Sequence, residues 1–238
     1  MIFYYVRHGD PIYDPDSLTE LGKKQAEALS KRFEKWGLDQ IYASTSMRAQ
    51  MTAQPTCDKL GIEKTLLDWI NEGRVWEYFS VKNEKGEGKW AFHVESYRRM
   101  MNSPEVRALG DQWYKHPYFA NENFEKGVLH FNKEVDDFLA KLGFEHNREN
   151  ACYHVTRKNK DKVALFAHEG AGKIFLSSVL DIPYPTVATK MELGHSSVTV
   201  IYFDENAETC YPRMLQWSND SHLYKEEILT GYQNWIDI

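Results

Sequence analysis

Residues 2–11 read Ile-Phe-Tyr-Tyr-Val-Arg-His-Gly-Asp-Pro, and this stretch decides the fold of the chain. Its first five residues are all apolar, which is typical of a strand buried on both faces of a largely parallel sheet. Gly9 and Pro11 then enforce a loop. Because ligands bind at the carboxyl ends of the strands in open α/β sheets, Arg7 and His8 stand where a functional site is expected.

The residues that follow continue the pattern of parallel α/β units. A helix is predicted after Thr19, a plausible N-cap, and it ends near Gly37. A second strand is predicted over residues 40–43, a second helix over residues 47–60 and a third strand over residues 64–67. The order strand, helix, strand, helix, strand indicates a mostly parallel sheet.

The character of the chain changes between residues 78 and 150. A polar, glycine-containing loop (residues 83–89) precedes helical patterns over residues 94–101, 105–114 and 124–142. The last of these has apolar residues at amphipathic spacing, which predicts packing against the sheet. We interpret the region as a helical insertion whose earlier part could roof a pocket.

The sheet resumes with the apolar run at residues 162–167, which ends at His168. A helix is predicted from Ala171 to Leu180, and the β-branched and aromatic residues 196–203 predict another strand. The sequence contains no internal repeat and no low-complexity tract. We therefore predict one domain over residues 1–238, with a helical insertion at about 78–150.

The charge of the chain narrows the class of partner. With 29 Lys and Arg against 35 Asp and Glu, the formal charge is −6 at pH 7. This balance disfavours nucleic acid and anionic membranes as main partners, whereas a small anion responds to the local field of its pocket. No apolar run approaches the roughly 18–20 residues that cross a bilayer.

The start of the chain and its cysteines indicate a cytoplasmic protein. The first residues run into Arg7 without the basic and apolar regions of a signal peptide. Cys57, Cys152 and Cys210 are few, scattered and without zinc spacing. We expect reduced structural thiols, as is usual in the cytoplasm.

Two histidines at strand ends are the candidate reactive groups. Neighbouring parallel strands would bring His8 and His168 to the same rim of the sheet. A neutral imidazole with one free ring nitrogen is a nucleophile, and attack on phosphorus also needs positive charge around the equatorial oxygens. Arg7 lies beside His8, and Arg48 stands at the start of the helix after the second strand.

With these residues in this order, the sequence resembles the histidine phosphatase superfamily, in particular its phosphoglycerate-mutase-like branch. The resemblance rests on segments that occur in the family's order between residues 2 and about 223. These are Arg7-His8-Gly9, the L-T-x-x-G-x-x-Q-A segment at 18–26, the S-x-x-x-R-A-x-x-T-A segment at 44–53, Ile70-Asn71-Glu72 with Trp76-Glu77, Ala167-His168-Glu169-Gly170 and 219–223.

The resemblance implies a three-layer α/β/α sandwich and a role for each matching residue. His8 would be the nucleophile that becomes phosphohistidine, and Arg7, Arg48 and His168 would bind the phosphoryl group. Glu72 would protonate the leaving oxygen and then activate water, which one carboxyl group can do if its pKa is raised. Glu77 and Glu169 are the alternatives for this role. No metal and no cofactor is implied.

The first loop departs from the family pattern. Many relatives carry Glu-Thr after Arg-His-Gly, where this chain has Asp10-Pro11. Asp14 stands where an Asn is frequent, and its carboxylate would be repelled by a phosphate unless it is protonated or turned away. These departures favour hydrolysis of a small phosphomonoester, with phosphate as product, over mutase-type transfer.

Two alternatives stay open beside the phosphatase hypothesis. A phosphoglycerate-mutase-type transfer needs the same five residues, so the motif does not separate it from hydrolysis. A non-catalytic module that binds a phospho-ligand or a protein is disfavoured, because none of the five positions is lost. The sequence leaves the individual substrate and the oligomeric state open.

Overall fold

The structure is a computed structural model that describes residues 1–231. The strands are, in chain order, β1 (Ile2–Arg7), β2 (Pro11–Tyr13), β3 (Asp16–Leu18), β4 (Gln40–Ser44), β5 (Lys64–Leu67), β6 (Ser80–Lys82), β7 (Gly88–Trp90), β8 (Phe144–Asn147), β9 (Cys152–Val155), β10 (Lys162–Ala167), β11 (Val198–Tyr202), β12 (Thr209–Cys210) and β13 (Arg213–Asn219).

The α-helices lie between these strands. They are α1 (Glu20–Trp36), α2 (Met47–Leu60), α3 (Glu72–Phe79), α4 (Glu95–Met101), α5 (Pro104–Ala108), α6 (Phe124–Lys141), α7 (Glu169–Leu180), α8 (Tyr184–Lys190) and α9 (Ser221–Lys225). Short 3₁₀ helices cover Ala91–His93, Gly110–Lys115 and Pro117–Phe119. No helix within residues 1–231 is both long enough and apolar enough to cross a membrane.

The central sheet has six strands in the order β13-β11-β1-β10-β4-β5. β1 pairs in parallel with β10, and β10 with β4, which in turn pairs with β5. β11 runs antiparallel to both β1 and β13. The sheet is therefore parallel over four strands, as the sequence pattern predicts, and antiparallel at one edge.

The two faces of β1 bury side chains in two separate cores, which explains why its sequence is apolar throughout. Phe3 and Tyr5 belong to a core formed with α6 and α7, and Phe175 stacks on both rings. Tyr4 and Val6 belong to a core formed with α1 and α2. Helices on both faces of one sheet make a three-layer α/β/α sandwich, which confirms the predicted fold class.

Most predicted elements occur within two residues of their expected bounds. The N-cap of α1 is Thr19, whose Oγ1 accepts a hydrogen bond from the Gly22 amide, and Gly37 follows its last residue. The predicted strand over residues 196–203 is shorter, because Ser196 adopts a left-handed conformation at φ 57° before β11 begins.

The region of residues 78–150 is less uniformly helical than expected. The predicted loop at 83–89 contains the turn of a hairpin formed by β6 and β7. A further strand, β8, lies near the end of the region 78–150. The helical pattern at 105–114 is divided, because α5 ends at Ala108 and Gly110, at φ 54°, begins a 3₁₀ helix instead of continuing the α-helix. The single-domain interpretation of residues 1–238 remains a prediction, and residues 232–238 lie outside the described residues.

Candidate active site

His8 and His168 meet at the rim of the sheet. In the parallel register of β1 and β10, Arg7 lies opposite Ala167, so the two histidines leave the sheet side by side. Their ring centroids are 5.2 Å apart at an interplanar angle of 62°. Both side chains are buried. The sheet topology thus brings together two residues that are far apart in the sequence.

The loop after His8 is fixed by close packing against α1 and α2. The Gly9 amide donates to Thr52 Oγ1 over 2.9 Å, and Thr52 donates in turn to the Arg48 carbonyl over 2.7 Å. A Cβ atom at Gly9 would lie 2.7 Å from the Gly22 carbonyl oxygen. Position 9 therefore accommodates only glycine, because any side chain would push α1 away from the loop.

One ring nitrogen of His8 is held and the other is left for chemistry. Nδ1 lies 2.7 Å from the Gly9 carbonyl oxygen, which only accepts hydrogen bonds, so Nδ1 carries the proton and donates. Burial, together with His168, Arg7 and Arg48, lowers the pKa of His8 well below its usual value. The imidazole is therefore neutral, with a lone pair on Nε2, the state in which histidine is nucleophilic.

Arg7 is buried and oriented by partners on three sides. Its Nη1 donates to the Leu193 carbonyl and lies 3.0 Å from Glu169 Oε2. Its Nη2 lies 2.9 Å from His195 Nε2. A guanidinium only donates, so His195 accepts at Nε2 and carries its proton on Nδ1.

His195 is the site residue that the sequence analysis missed. Burial and the charge of Arg7 lower the pKa of His195 to about 3, so the ring is neutral. Its ring centroid lies 5.7 Å from that of His8, and its Nδ1 lies 3.5 Å from Asp10 Oδ1. The available signal was a polar run, Gly194 to Ser197, directly before a strand. An antiparallel strand begins at the rim where its parallel neighbours end.

Arg48 begins α2 and is held by the hairpin of β2 and β3. Its Nη1 donates to Asp16 Oδ1 over 2.8 Å, and Asp16 Oδ2 accepts from the Met47 amide over 2.7 Å. The guanidinium carbon lies 5.4 Å from the centroid of the Tyr13 ring. Asp14 is exposed in the turn of the same hairpin and is not among the residues that line the cleft.

His168 lies at the N-cap position of α7, and its ring spans the space between β4 and α3. Nε2 lies 2.8 Å from Ser44 Oγ. Nδ1 lies 3.3 Å from Glu72 Oε2 but has no hydrogen-bond partner of suitable geometry among the described residues. Burial, with Arg48 and Arg7, lowers the pKa of His168 well below its usual value. The residue is thus a neutral ring beside the carboxyl group of Glu72.

Glu72 begins α3 and reaches the N-terminus of α7. Its Oε1 accepts from the Ala171 amide over 3.2 Å. A Cβ atom at Gly170 would lie 2.4 Å from this oxygen, so the absence of a side chain there admits the carboxyl group. Burial raises the pKa of Glu72 to about 7, against the opposing charges of Arg48 and Arg7. Near neutral pH this group both gives and takes a proton.

The two alternative carboxyl groups have different surroundings. Glu77 is largely exposed, lies 3.9 Å from Arg74 and does not line the cleft. Glu169 lines the cleft but lies 2.9 Å from Lys173 and 3.0 Å from Arg7. Although burial opposes ionisation, these cations hold the pKa of Glu169 well below its usual value. Only Glu72 combines access to the cleft with a raised pKa.

Arg7, His8, Arg48 and Glu72 line a cleft of about 180 Å³, whereas the buried His168 and His195 are not among its lining residues. Its lining consists of Arg7, His8, Tyr13, Arg48, Glu72, Trp90, Phe92, His93, Glu169 and Gly170. The volume is below the roughly 300–1,000 Å³ of sites for drug-sized ligands, which favours a small ligand. Ligand atoms of His8, Glu72 and His168 lie within 4.8 Å of one another, close enough to hold a metal ion. Two adjacent guanidinium groups, however, favour an anion there over a cation.

Three buried nitrogen atoms at the cleft have no partner among the described residues. They are Nε of Arg7, Nε of Arg48 and Nδ1 of His168. Buried donors are nearly always hydrogen-bonded, since leaving one unpaired costs about 1–3 kcal/mol. An anion with several acceptor oxygens would satisfy them together.

Comparison with known proteins finds similarity to phosphatases, which agrees with a cleft suited to a phosphate group. Residues 3–113 match the model of the histidine phosphatase superfamily (branch 1). A protein of Hydrogenobacter thermophilus that carries the name of a phosphoserine phosphatase is 28% identical over 155 residues, covering 60% of this chain and 67% of that protein.

Solved structures share the fold over nearly the whole chain. A mutant phosphoserine phosphatase from Entamoeba histolytica, in complex with phosphoserine, superposes with a TM-score of 0.60 at 18% identity, covering 93% of this chain and 98% of that one. A mycobacterial glucosyl-3-phosphoglycerate phosphatase with inorganic phosphate gives a TM-score of 0.58 at 18% identity and the same coverage. The matching motifs, the family model over residues 3–113 and the shared fold thus make this chain similar to the histidine phosphatase superfamily.

Proposed function

We propose that this phosphatase hydrolyses small phosphomonoesters in two steps, through a phosphohistidine on His8. The observation that carries the proposal is the combination of a neutral, buried His8 with a free Nε2 and three unpartnered nitrogen atoms around it, two of which, on Arg7 and Arg48, are donors in any protonation state of the site. Phosphoryl transfer needs a positioned nucleophile and stabilisation of charge on three equatorial oxygens. Arg7, Arg48 and His168 would supply that stabilisation.

In the first step, Nε2 of His8 attacks phosphorus, and the bond from phosphorus to the leaving oxygen breaks. The carboxyl group of Glu72 gives its proton to that oxygen, so the alcohol leaves uncharged. The Nδ1 proton of His8 stays on the ring and is stabilised by the Gly9 carbonyl as positive charge develops on the imidazole.

In the second step, the carboxylate of Glu72 takes a proton from water. The water oxygen attacks phosphorus, the bond to Nε2 breaks, and His8 returns to its neutral state with release of phosphate. The pKa of Glu72, about 7, suits both directions of proton transfer. The raised pKa makes Glu72 a better candidate than Glu77 or Glu169 for this role.

The phosphatase-named relatives support hydrolysis as the net reaction rather than mutase transfer. Each of these names belongs to the relative and leaves the substrate of this chain open. We also propose a cytoplasmic location, because Cys57, Cys152 and Cys210 are all free thiols and all buried.

The test is hydrolysis of a panel of phosphomonoesters in the presence of a chelator. The panel includes phosphoserine, benzyl phosphate and 3-phosphoglycerate, and interconversion of 3- and 2-phosphoglycerate is followed in parallel. The wild type should release phosphate, and His8→Ala should abolish release. The exposed His154 provides the matched control, and His154→Ala should keep full activity.

Three outcomes would count against the proposal. Interconversion without release of phosphate would support the mutase alternative. Full activity of His8→Ala would place the chemistry elsewhere. Tight binding of phosphate without turnover of any substrate would support a binding module.

A further inference from the structure

The outer part of the active-site cleft is aromatic. Beyond the groups assigned to the phosphoryl group, its lining includes Tyr13, Trp90 and Phe92, with His93 exposed beside them. Two hairpins deliver these rings: β2–β3 carries Tyr13, and β6–β7 ends at Trp90. Apart from Glu169, the part of the cleft that would receive the leaving group is therefore formed mainly by rings.

Trp90 adjoins the proposed proton donor. A single Cβ atom at Gly170 would lie 2.4 Å from Glu72 Oε1 and 2.7 Å from both Cη2 and Cζ2 of Trp90. The carboxyl group and the six-membered edge of the indole thus share the space above Gly170. The leaving oxygen takes its proton from Glu72, so the carbon skeleton bonded to that oxygen begins beside Trp90.

The indole of Trp90 is held in place by its neighbours. Phe92 stacks on it with centroids 5.5 Å apart and planes at 15°, and Trp76 meets it at 4.8 Å and 83°. Beneath this layer, Lys173 Nζ lies 4.0 Å from the centroid of Phe92. A ring fixed in this way offers a preformed flat surface, which lowers the entropic cost of stacking a ligand.

The charges of the lining disfavour an anionic leaving group. Among the lining residues, the only Arg or Lys side chains are Arg7 and Arg48, which the phosphoryl group would engage. Besides Glu72, whose pKa is about 7, the carboxyl group of the lining is that of Glu169, which Arg7 and Lys173 keep ionised, and partial desolvation together with Lys173 lowers the pKa of His93. A carboxylate on the substrate, as in phosphoglycerate, would find no cation of its own in this lining.

We propose that the leaving group of the substrate is a flat, uncharged aromatic ring that packs against Trp90 and Tyr13. The substrate class is then a phosphomonoester of an aromatic or ring-bearing alcohol, rather than a phosphorylated amino acid or sugar acid. The inference rests on the proposed phosphatase function, since Glu72 marks the position of the leaving oxygen.

The experiment compares substrates whose leaving alcohols have similar acidity. Benzyl phosphate and cyclohexylmethyl phosphate release alcohols of similar size, but only the first presents an aromatic face. We expect kcat/KM for benzyl phosphate to exceed that for cyclohexylmethyl phosphate by about tenfold, a typical contribution of one good aromatic contact. It should exceed that for phosphoserine and 3-phosphoglycerate by more.

Variants of Trp90 test whether this ring is the cause. Trp90→Leu should reduce the benzyl-to-cyclohexylmethyl ratio to near unity, whereas Trp90→Phe should keep most of it. Tyr13→Leu should lower the ratio by a smaller factor, because Tyr13 is 65% exposed. The matched control is Tyr224→Leu, which removes a tyrosine that is 88% exposed in α9 and should leave the ratio unchanged.

The outcomes separate this inference from the proposed function. Hydrolysis in which phosphoserine or 3-phosphoglycerate is preferred would overturn the aromatic leaving group and leave the phosphatase intact. An unchanged ratio in Trp90→Leu would likewise overturn it, since Trp90 would then serve only the fold. Failure to hydrolyse any member of the panel, with no phosphohistidine formed, would contradict the proposed function itself.

Discussion

The Nη2 group of Arg7 donates a hydrogen bond of 2.9 Å to Nε2 of His195. This bond connects the residue before the proposed nucleophile to the segment that precedes β11, on the other side of β1. It also fixes the tautomer of His195, because a guanidinium does not accept hydrogen bonds. The orientation of Arg7, which we propose binds the phosphoryl group, thus depends on a neutral histidine that itself need not touch the substrate.

Loss of His195 should weaken the phosphatase without abolishing it. We expect His195→Ala to lower kcat/KM by roughly 10- to 100-fold, because a misplaced guanidinium loses stabilisation of the equatorial oxygens. His195→Gln should recover part of the loss, since its amide oxygen can accept the same bond. Steady-state kinetics on one phosphomonoester measure both variants. Equal activity of the alanine and glutamine variants would contradict an orienting role for this bond.

Glu72→Gln should separate the two chemical steps. With 4-nitrophenyl phosphate, whose leaving group needs no proton, the first step should proceed, whereas water would lack its base in the second. Intact-mass analysis of the quenched reaction should therefore show phosphorylated protein accumulating in this variant. The double variant His8→Ala with Glu72→Gln is the control, and any phosphorylation there would place the nucleophile elsewhere.

The pH dependence of catalysis should reflect the protonation of Glu72. The first step needs its protonated form, and its pKa is about 7 in the free enzyme. We therefore expect kcat/KM for an alkyl phosphate to fall above about pH 7. The pKa of His8 is lowered well below its usual value, so His8 stays neutral near and above pH 7 and should add no further change to the pH profile of kcat/KM in that range. A profile that is flat from pH 6 to 9 would exclude Glu72 as the acid.

The same raised pKa implies a cost in stability. A carboxyl group whose pKa is higher in the folded state than in the unfolded state binds its proton more tightly when folded. The contribution of Glu72 to the free energy of unfolding consequently decreases as pH rises from about 4.5 through about 7. Glu72→Gln should raise the Tm at pH 8 and change it little at pH 4.5. An unchanged difference between the two pH values would contradict the assigned shift.

Gly170→Ala should damage the site more than the fold. Its Cβ would lie 2.4 Å from Glu72 Oε1 and 2.7 Å from the Trp90 ring, so both groups must move. We expect activity to fall by about 100-fold or more while the protein stays folded. Gly88→Ala is the control, because its Cβ would make only an ordinary contact of 3.4 Å with Trp76. Circular dichroism and kinetics of both variants provide the check.

His146, with Asp136 and Asp181, should also make the stability of the fold depend on pH. Here the protonated group stabilises the folded state, whereas at Glu72 the ionised group destabilises it. The side chain of His146 is fully buried, with Nδ1 2.9 Å from Asp136 Oδ1 and Nε2 3.0 Å from Asp181 Oδ2. Although burial opposes protonation, hydrogen bonds to both carboxylates raise its pKa. The resulting stabilisation is fully present below the unfolded pKa of about 6.5 and is lost as pH rises through the folded value.

Removal of His146 should therefore flatten the stability profile of the protein. We expect the difference in Tm between wild type and His146→Asn to be largest near pH 6 and to shrink above pH 8. His154→Asn, at an exposed position on β9, is the control and should leave the profile as it is in the wild type. A difference in Tm that stays constant with pH would show that the ring acts by packing alone.

The sheet and the positions of His8 and His168 at its rim were predictable because they rest on local patterns. The apolar runs that form β1 and β10 end at histidines, and the parallel pairing that such runs favour places His8 beside His168. The helices beside them carry strong caps, as at Thr19 and Gly37. Each of these features is encoded within a few residues.

Other features depended on contacts between distant segments. The role of Asp16 as partner of Arg48 follows from a hairpin that the sequence pattern does not specify. The position of His195 depends on β11 running antiparallel, which short β-branched runs do not reveal. Trp90 and Glu72 come together above Gly170 because β6 and β7 pair and Gly170 leaves room for both side chains.

The place of β1 in the middle of the sheet has a consequence for synthesis of the protein. As the ribosome makes the chain, β1 emerges well before the strands that flank it, which pair Ile2 with Lys162 and with Tyr202. This apolar strand therefore lacks its native partners while some 160 residues are translated. During that interval its side chains can bind chaperones or associate with other unfolded chains. Since Arg7 ends this strand and His8, the proposed nucleophile, follows it, the candidate site of the nascent protein can form only after the strands that flank β1 have been made.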